Sequence, residues 1–262
     1  MVTPMQINAA YVTDQGQVRE HNEDFVILRL PVDPDDAHKN GWVGIVADGV
    51  GGAEAGEVAS QFASEQMMAH YLNHNHTEQT DSADSASRLK EAMMAAHFDL
   101  CGLIEERQKQ VTQHTRMGTT IVAVVVMAEK NTAVFANVGD SRGYHLRDDN
   151  IRQITKDHSL VVKLLEEGLI TQEDADTLRI GNIILQSIGS EQPPQVDLFP
   201  ISLLPGDSIM LCSDGLNNHV QDHEIGHIMA TNPPEDACQQ LVNLANERGG
   251  HDNISVLVMH YA

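Results

Sequence analysis

The chain has 262 residues with 16 Lys and Arg against 38 Asp and Glu, a formal charge of −22. Nucleic-acid binding is excluded by that balance, because phosphate-backbone affinity is built from clustered cations. Hydrophobic residues make up 41% of the chain, enough for a core, and no apolar run approaches the roughly 20 residues of a membrane span.

The N-terminal segment lacks the cationic start and apolar stretch of a secretion signal. Cys101, Cys212 and Cys238 are far apart and form no C-x-x-C. They predict neither disulfides nor a thiolate zinc site, and a cytoplasmic protein is expected.

In chain order, residues 7–12, 25–30 and 42–47 read as strands. The period then changes. Val58, Ala59, Phe62, Ala63, Ala69 and Leu72 share one helical face, as do Leu89, Met93, Ala96, Leu100 and Leu103. Residues 73–87 read as a surface connection. Strands return at 119–127, 132–138 and 142–147 with connections short enough for antiparallel neighbours only. A helical patch around Leu160 to Leu165 stops at Gly168, and Thr171 and Asp174 have capping spacing. This insert, 156–190, interrupts the sheet. A strand at 208–212, a helix from Pro234 and a strand at 254–260 complete the chain. Strands in groups with helices between groups predict an α+β fold of antiparallel sheets covered by helices, in a single domain over 1–262.

Acidic residues fall at the strand ends. Asp48 and Asp214 each follow an apolar run and precede glycine; Glu23 and Asp24 stand before one strand and Asp252 before the last. A single Asp-Gly is well explained as a turn. Asp48-Gly49, however, leads through Val50, Gly51 and Gly52 into a helical pattern, which a hairpin turn does not do. Converging carboxylates need cations. An all-oxygen donor set suits Mg²⁺ or Mn²⁺ rather than zinc. Two ions about 3.5–4 Å apart, bridged by Asp48, would make a hydrolytic site. Arg19 is placed to grip an oxyanion by a bidentate contact.

Seven segments in order, GQVREHNED (16–24), VADGVGG (46–52), MGTT (117–120), VGDSRGY (138–144), ITKDHSLV (154–161), LCSDGL (211–216) and GHDNISVLV (250–258), resemble the bacterial PPM-class metal-dependent protein serine/threonine phosphatases. That resemblance implies two packed antiparallel sheets flanked by helices on both sides, an α/β/β/α sandwich. It also implies a dinuclear Mn²⁺ or Mg²⁺ centre whose bound water hydrolyses phosphoserine and phosphothreonine. By the same resemblance Asp48 is the bridging ligand, Glu23 and the Gly49 carbonyl serve one metal, and Asp214 and Asp252 serve the other. Asp24 matches a residue holding metal-bound waters, Arg19 the phosphate clamp, and 156–190 a flap beside the site. A serine/threonine kinase or its targets are the implied partners, and a monomer is expected.

The sequence departs from the family pattern in two respects. Val50 stands where animal members carry a histidine general acid, which leaves metal-bound water as the proton donor. Residues 113–116 and Asn218 replace aspartates associated with a third metal, so two ions are expected. Gly139-Asp140-Ser141-Arg142-Gly143 also matches the G-x-S-x-G nucleophile elbow, but the following residues continue as strand instead of entering a helix. Asp140, Ser141 and Arg142 are expected to form a turn network beneath the site, and His158 a structural hydrogen bond. Gly49-Val50-Gly51-Gly52 lacks the third glycine of a dinucleotide loop.

Overall fold

The computed structural model describes residues 7–51, 54–73, 82–109, 117–177 and 183–262. One antiparallel sheet runs β1 (Ile7–Asp14), β11 (Ile254–Tyr261), β10 (Ser208–Cys212), β7 (Arg142–Arg147), β8 (Asn150–Gln153). The other runs β2 (Asp24–Arg29), β3 (Trp42–Val50), β5 (Ile121–Met127), β6 (Thr132–Val138), β9 (Asp197–Ser202), with β4 (Gly118–Thr119) beside the end of β3.

Side-chain alternation along β5 builds the layers. Ile121, Ala123, Val125 and Met127 join the core beneath α2 (Glu54–Leu72) and α3 (Ser82–Gln108), whereas Val122, Val124 and Val126 point into the core between the sheets. Both faces of this strand are covered, so it reads as an unbroken apolar run. Met210, Cys212, Val256 and Val258 of the other sheet pack under α7 (Asp222–Thr231) and α8 (Pro234–Glu247). Helices thus cover the outer face of each sheet, in the expected α/β/β/α order. Cys212 and Cys238 are buried, Cys101 is half-buried, and all three are free.

Four elements lack the apolar periodicity on which the sequence reading relied. The helix α1 (Pro34–Asn40) buries no residue and is specified by its ends: Asp33 accepts from the Asp36 amide, Pro34 opens the first turn, and Gly41 at φ 65° closes it. A Gln221–Glu224 capping box starts α7. The polar β8 and the Pro200-containing β9 are both sheet edges, where a missing amide is tolerated.

A further correction concerns the site. The strand expected to end at residue 47 runs on as β3 through Asp48 and Gly49 to Val50. Glycine is required there: a Cβ on Gly49 would lie 2.3 Å from the Gly56 carbonyl oxygen and 2.6 Å from that of Glu23. Likewise the strand expected at 119–127 is divided at Thr120, where the Thr120 hydroxyl replaces a backbone carbonyl as acceptor of the Asp48 amide, at 3.2 Å.

Between β8 and β9 lie two short helices, α4 (Leu160–Glu166) and α5 (Gln172–Thr177). Ser159 caps the first, and Gly168 at φ 67° ends its last turn. The Thr171–Asp174 pair forms the predicted reciprocal cap, with the Asp174 amide donating to the Thr171 hydroxyl and the Thr171 amide to the Asp174 carboxylate.

Candidate metal centre

The two sheets present their acidic strand ends at the same edge of the sandwich. Asp24, first in β2, pairs across the ladder with Asp48 of β3. From the other sheet, Asp214 follows β10 at the start of α6 (Asp214–Asn217) and Asp252 precedes β11. Ser213 bridges the sheets, its hydroxyl donating to the Asp24 carboxylate at 2.7 Å and accepting from the Ser255 amide at 2.9 Å. Asn253 links three segments of the loop before β2. Its side-chain oxygen accepts from the Glu23 amide at 2.8 Å, and its amide group donates to the carbonyls of Gln15 and His21. The Ser60 hydroxyl of α2 donates to the Glu23 carbonyl at 2.6 Å.

Ser213, Asn253 and Ser60 escaped the sequence reading as site-building residues. The first two sit directly beside Asp214 and Asp252 in their motifs, which is a usable signal; Ser60 gives none, since a serine in a helix has no distinguishing spacing.

Crowding shows in the electrostatics. Burial raises the Asp24 carboxyl to about 7, against the hydrogen bonds of Ser213 and Ser255 and with the repulsion of Asp214 and Asp252. Asp48 is pushed well above the ordinary range by burial and by Asp24, Asp214 and Asp140. Burial and Asp252 raise Asp214, against hydrogen bonds from Asn218 and Asp48. Burial raises Glu23, and Arg19 opposes it. Asp140 rises to about 7 through burial and the nearby Asp214 and Asp157.

Arg19 is half exposed and donates to Asp252 at 2.6 Å. Four carboxylate oxygens, on Glu23, Asp24, Asp140 and Asp214, are buried with no hydrogen-bond partner. Such oxygens demand a positive ligand. Hard divalent ions fit the donor set, which is oxygen throughout. As the side chains stand, no group of three or more His, Cys, Asp or Glu among the described residues is closed up enough to hold an ion. Asp252 is turned to Arg19 and Asp214 to Asn218 at 3.2 Å, donors from which a cation would draw them.

Ser141 is fully buried, shares a 2.7 Å hydrogen bond with Thr120, and stands before a strand, so it forms no nucleophile elbow. Arg142 grips Asp157 through two of its nitrogens. His158 accepts from the Gly139 amide at 3.2 Å and meets Asp197 at 3.1 Å, a structural placement as expected. Gly52 and residues 113–116, which carried part of the glycine-loop and third-metal arguments, lie outside the described residues.

Residues 34–255 match the family described as protein phosphatase 2C. Among curated proteins, the serine/threonine phosphatase stp of Listeria welshimeri is 36% identical, covering 97% of this chain and 95% of its own. The solved serine/threonine phosphatase of S. agalactiae superposes with a TM-score of 0.83 at 32% identity, covering 98% of this chain and 100% of that one. The catalytic domain of the phosphatase PstP, solved with two manganese ions, gives 0.78 at 31% identity over 98% and 99%. The ordered motifs, the four-layer sandwich and these likenesses agree: the chain belongs to the protein phosphatase 2C family.

Proposed function

We propose that this protein is a metal-dependent protein serine/threonine phosphatase whose centre is the carboxylate cluster at the shared sheet edge. The observation that carries this reading is the set of buried carboxylate oxygens without donors, contributed by both sheets. In this assignment Asp48 would be shared between two ions, Glu23 and the Gly49 carbonyl would serve one, Asp214 and Asp252 the other, and Asp24 would orient water at the site. Manganese or magnesium meets the chemistry of these donors equally. When bound, the ions supply the water nucleophile and neutralise charge on the phosphoryl oxygens.

The chain's own residues do the rest. Arg19, the exposed cation of the cluster, leaves Asp252 to clamp two phosphoryl oxygens of the substrate and align phosphorus for attack. Val50 has no acidic proton to give, so the leaving serine or threonine alkoxide takes its proton from water. Residues 156–190 act as a flap on the one catalytic domain, 1–262.

A phosphorylated protein is the substrate, and a serine/threonine kinase or its targets the partner. The enzyme acts as a monomer in the cytoplasm; among the described residues no helix is long and apolar enough to cross a membrane. The test is hydrolysis of p-nitrophenyl phosphate and of a phosphothreonine peptide with Mn²⁺, with chelator, and in Asp48→Asn and Asp214→Asn. Turnover is expected with Mn²⁺ alone; activity persisting in chelator or in both variants defeats the assignment.

A further inference from the structure

Thr119 makes two sets of contacts that point in different directions. Its backbone is committed to the return leg of the flap: the Thr119 amide donates to the Ile188 carbonyl at 3.1 Å, and the Ile188 amide donates back at 2.8 Å. Its side chain faces the strand end that carries Asp48, the hydroxyl lying 2.8 Å from the Asp48 carbonyl and 2.8 Å from the Thr120 carbonyl, so that its one proton is shared between these two acceptors. The Thr120 amide is the second donor to that carbonyl, at 2.9 Å. Both Thr119 and Ile188 are fully buried. At its other end the same leg is tied to the outgoing half of the flap, the Leu160 amide donating to Ile183 and the Leu185 amide to His158. The approach is close, since a Cβ on Gly118 would lie 3.1 Å from the Ile188 carbonyl oxygen and push it back by a few tenths of an ångström.

We infer that Thr119 is a positioning residue that fixes the Asp48–Gly49 segment for cation binding and couples the position of the flap to it. The inference rests on the reading of Asp48 and Gly49 as ligands. One carbonyl rotates with the next amide plane, so a donor on the Asp48 carbonyl sets the orientation of the Asp48–Gly49 peptide and of the residues on either side of it. Outer-shell partners that orient ligands commonly govern metal affinity by 10–100-fold, and here the hydroxyl acts through the peptide that joins the Asp48 side chain to the Gly49 carbonyl. Because the same residue holds the flap, ordering the strand end by a cation must by reciprocity order the flap leg.

The experiment compares wild type, Thr119→Val and Thr119→Ser. Mn²⁺ affinity is measured by calorimetry, and hydrogen exchange of residues 183–188 is followed with and without Mn²⁺. Valine keeps the shape and removes the hydroxyl. Expected results are a roughly 10-fold loss of Mn²⁺ affinity in Thr119→Val, restored in Thr119→Ser, and Mn²⁺-dependent slowing of exchange at Leu185 and Ile188 in wild type that vanishes in the valine variant. A merely structural hydroxyl would lower the melting temperature of Thr119→Val and leave Mn²⁺ affinity and the metal-dependent protection unchanged, and that result overturns the inference. Asp48→Asn separates the two failures. If it binds Mn²⁺ like wild type, the ligand assignment falls; if it loses Mn²⁺ while Thr119→Val does not, only the role of Thr119 falls.

Discussion

Gly56 sits near the start of α2, where alanine would ordinarily favour the helix by about 1 kcal/mol. Here a Cβ would lie 2.8 Å from the Glu23 carboxyl carbon and 3.0 Å from the Gly49 carbonyl oxygen. The carboxyl is the free end of a side chain and can swing away, whereas the Gly49 carbonyl is backbone and must give by a few tenths of an ångström, so Gly56→Ala is expected to spare the metal-free fold and misplace both Glu23 and the Gly49 carbonyl. Calorimetric titration should show Mn²⁺ affinity reduced about 10-fold with a melting temperature close to wild type; unchanged affinity would remove Glu23 and the Gly49 carbonyl from the centre. Asp207 illustrates the opposite case, a carboxylate with every partner it needs. Burial works against its charge, but Arg147, the Leu204 amide and His145 hold its carboxyl at about 2. A folded-state value below the unfolded one stabilises the protein above pH 4, and the benefit is lost as pH falls from about 4 to about 2. The shift corresponds to about 2 kcal/mol. Asp207→Asn should therefore lower the urea midpoint at pH 7 and flatten its decline in acid, while activity is retained, because Asp207 lies at the end of the sheet away from the carboxylate cluster.

Among the elements, α1, α2 and α3 are joined by a single buried cation. Arg88 of α3 donates to the Lys39 carbonyl at the end of α1, to the Asn40 side chain and to the Tyr71 carbonyl of α2, and its guanidinium lies 4.3 Å from the Tyr71 ring centroid. Replacement by methionine keeps much of the volume and strands those acceptors, at a cost of about 3 kcal/mol. Equilibrium denaturation should reveal it; a loss below about 1 kcal/mol would mean that the helices are held by apolar packing alone. Elements with an apolar face, such as α2, α3 and β5, were legible in the sequence because burial imposes a period. Those specified at their ends or edges, α1, α7, β8 and β9, were not, since the caps of α1 and α7 are short polar patterns that also occur in turns.

For the whole molecule, the charge of −22 gains meaning from where its carboxylates meet. Those gathered at the shared edge repel one another, and cations that bind only the folded state stabilise it by mass action. At a concentration 100 times Kd, each site contributes about 2.7 kcal/mol. For a chain of this length that raises the melting temperature by roughly 5–10 °C. Scanning calorimetry with Mn²⁺ should show the rise in wild type and its loss in the Asp48→Asn, Asp214→Asn double variant. No rise in wild type would mean that the cluster is not a cation site.

The amino-acid order by itself determined the layered α+β architecture, the family and the identity of the acidic residues, because apolar periods and short motifs are local properties of a chain. Tertiary structure alone decided that the strand continues past residue 47 through Asp48 and Gly49 to Val50, since that depends on β4 pairing beside its end. It also decided that Ser213, Asn253 and Ser60 hold the acidic loops in place, and that Thr119 meets Ile188 and Asp48 at once. Those roles are contacts between residues distant in sequence, and a contact of that kind leaves no period or spacing in the chain.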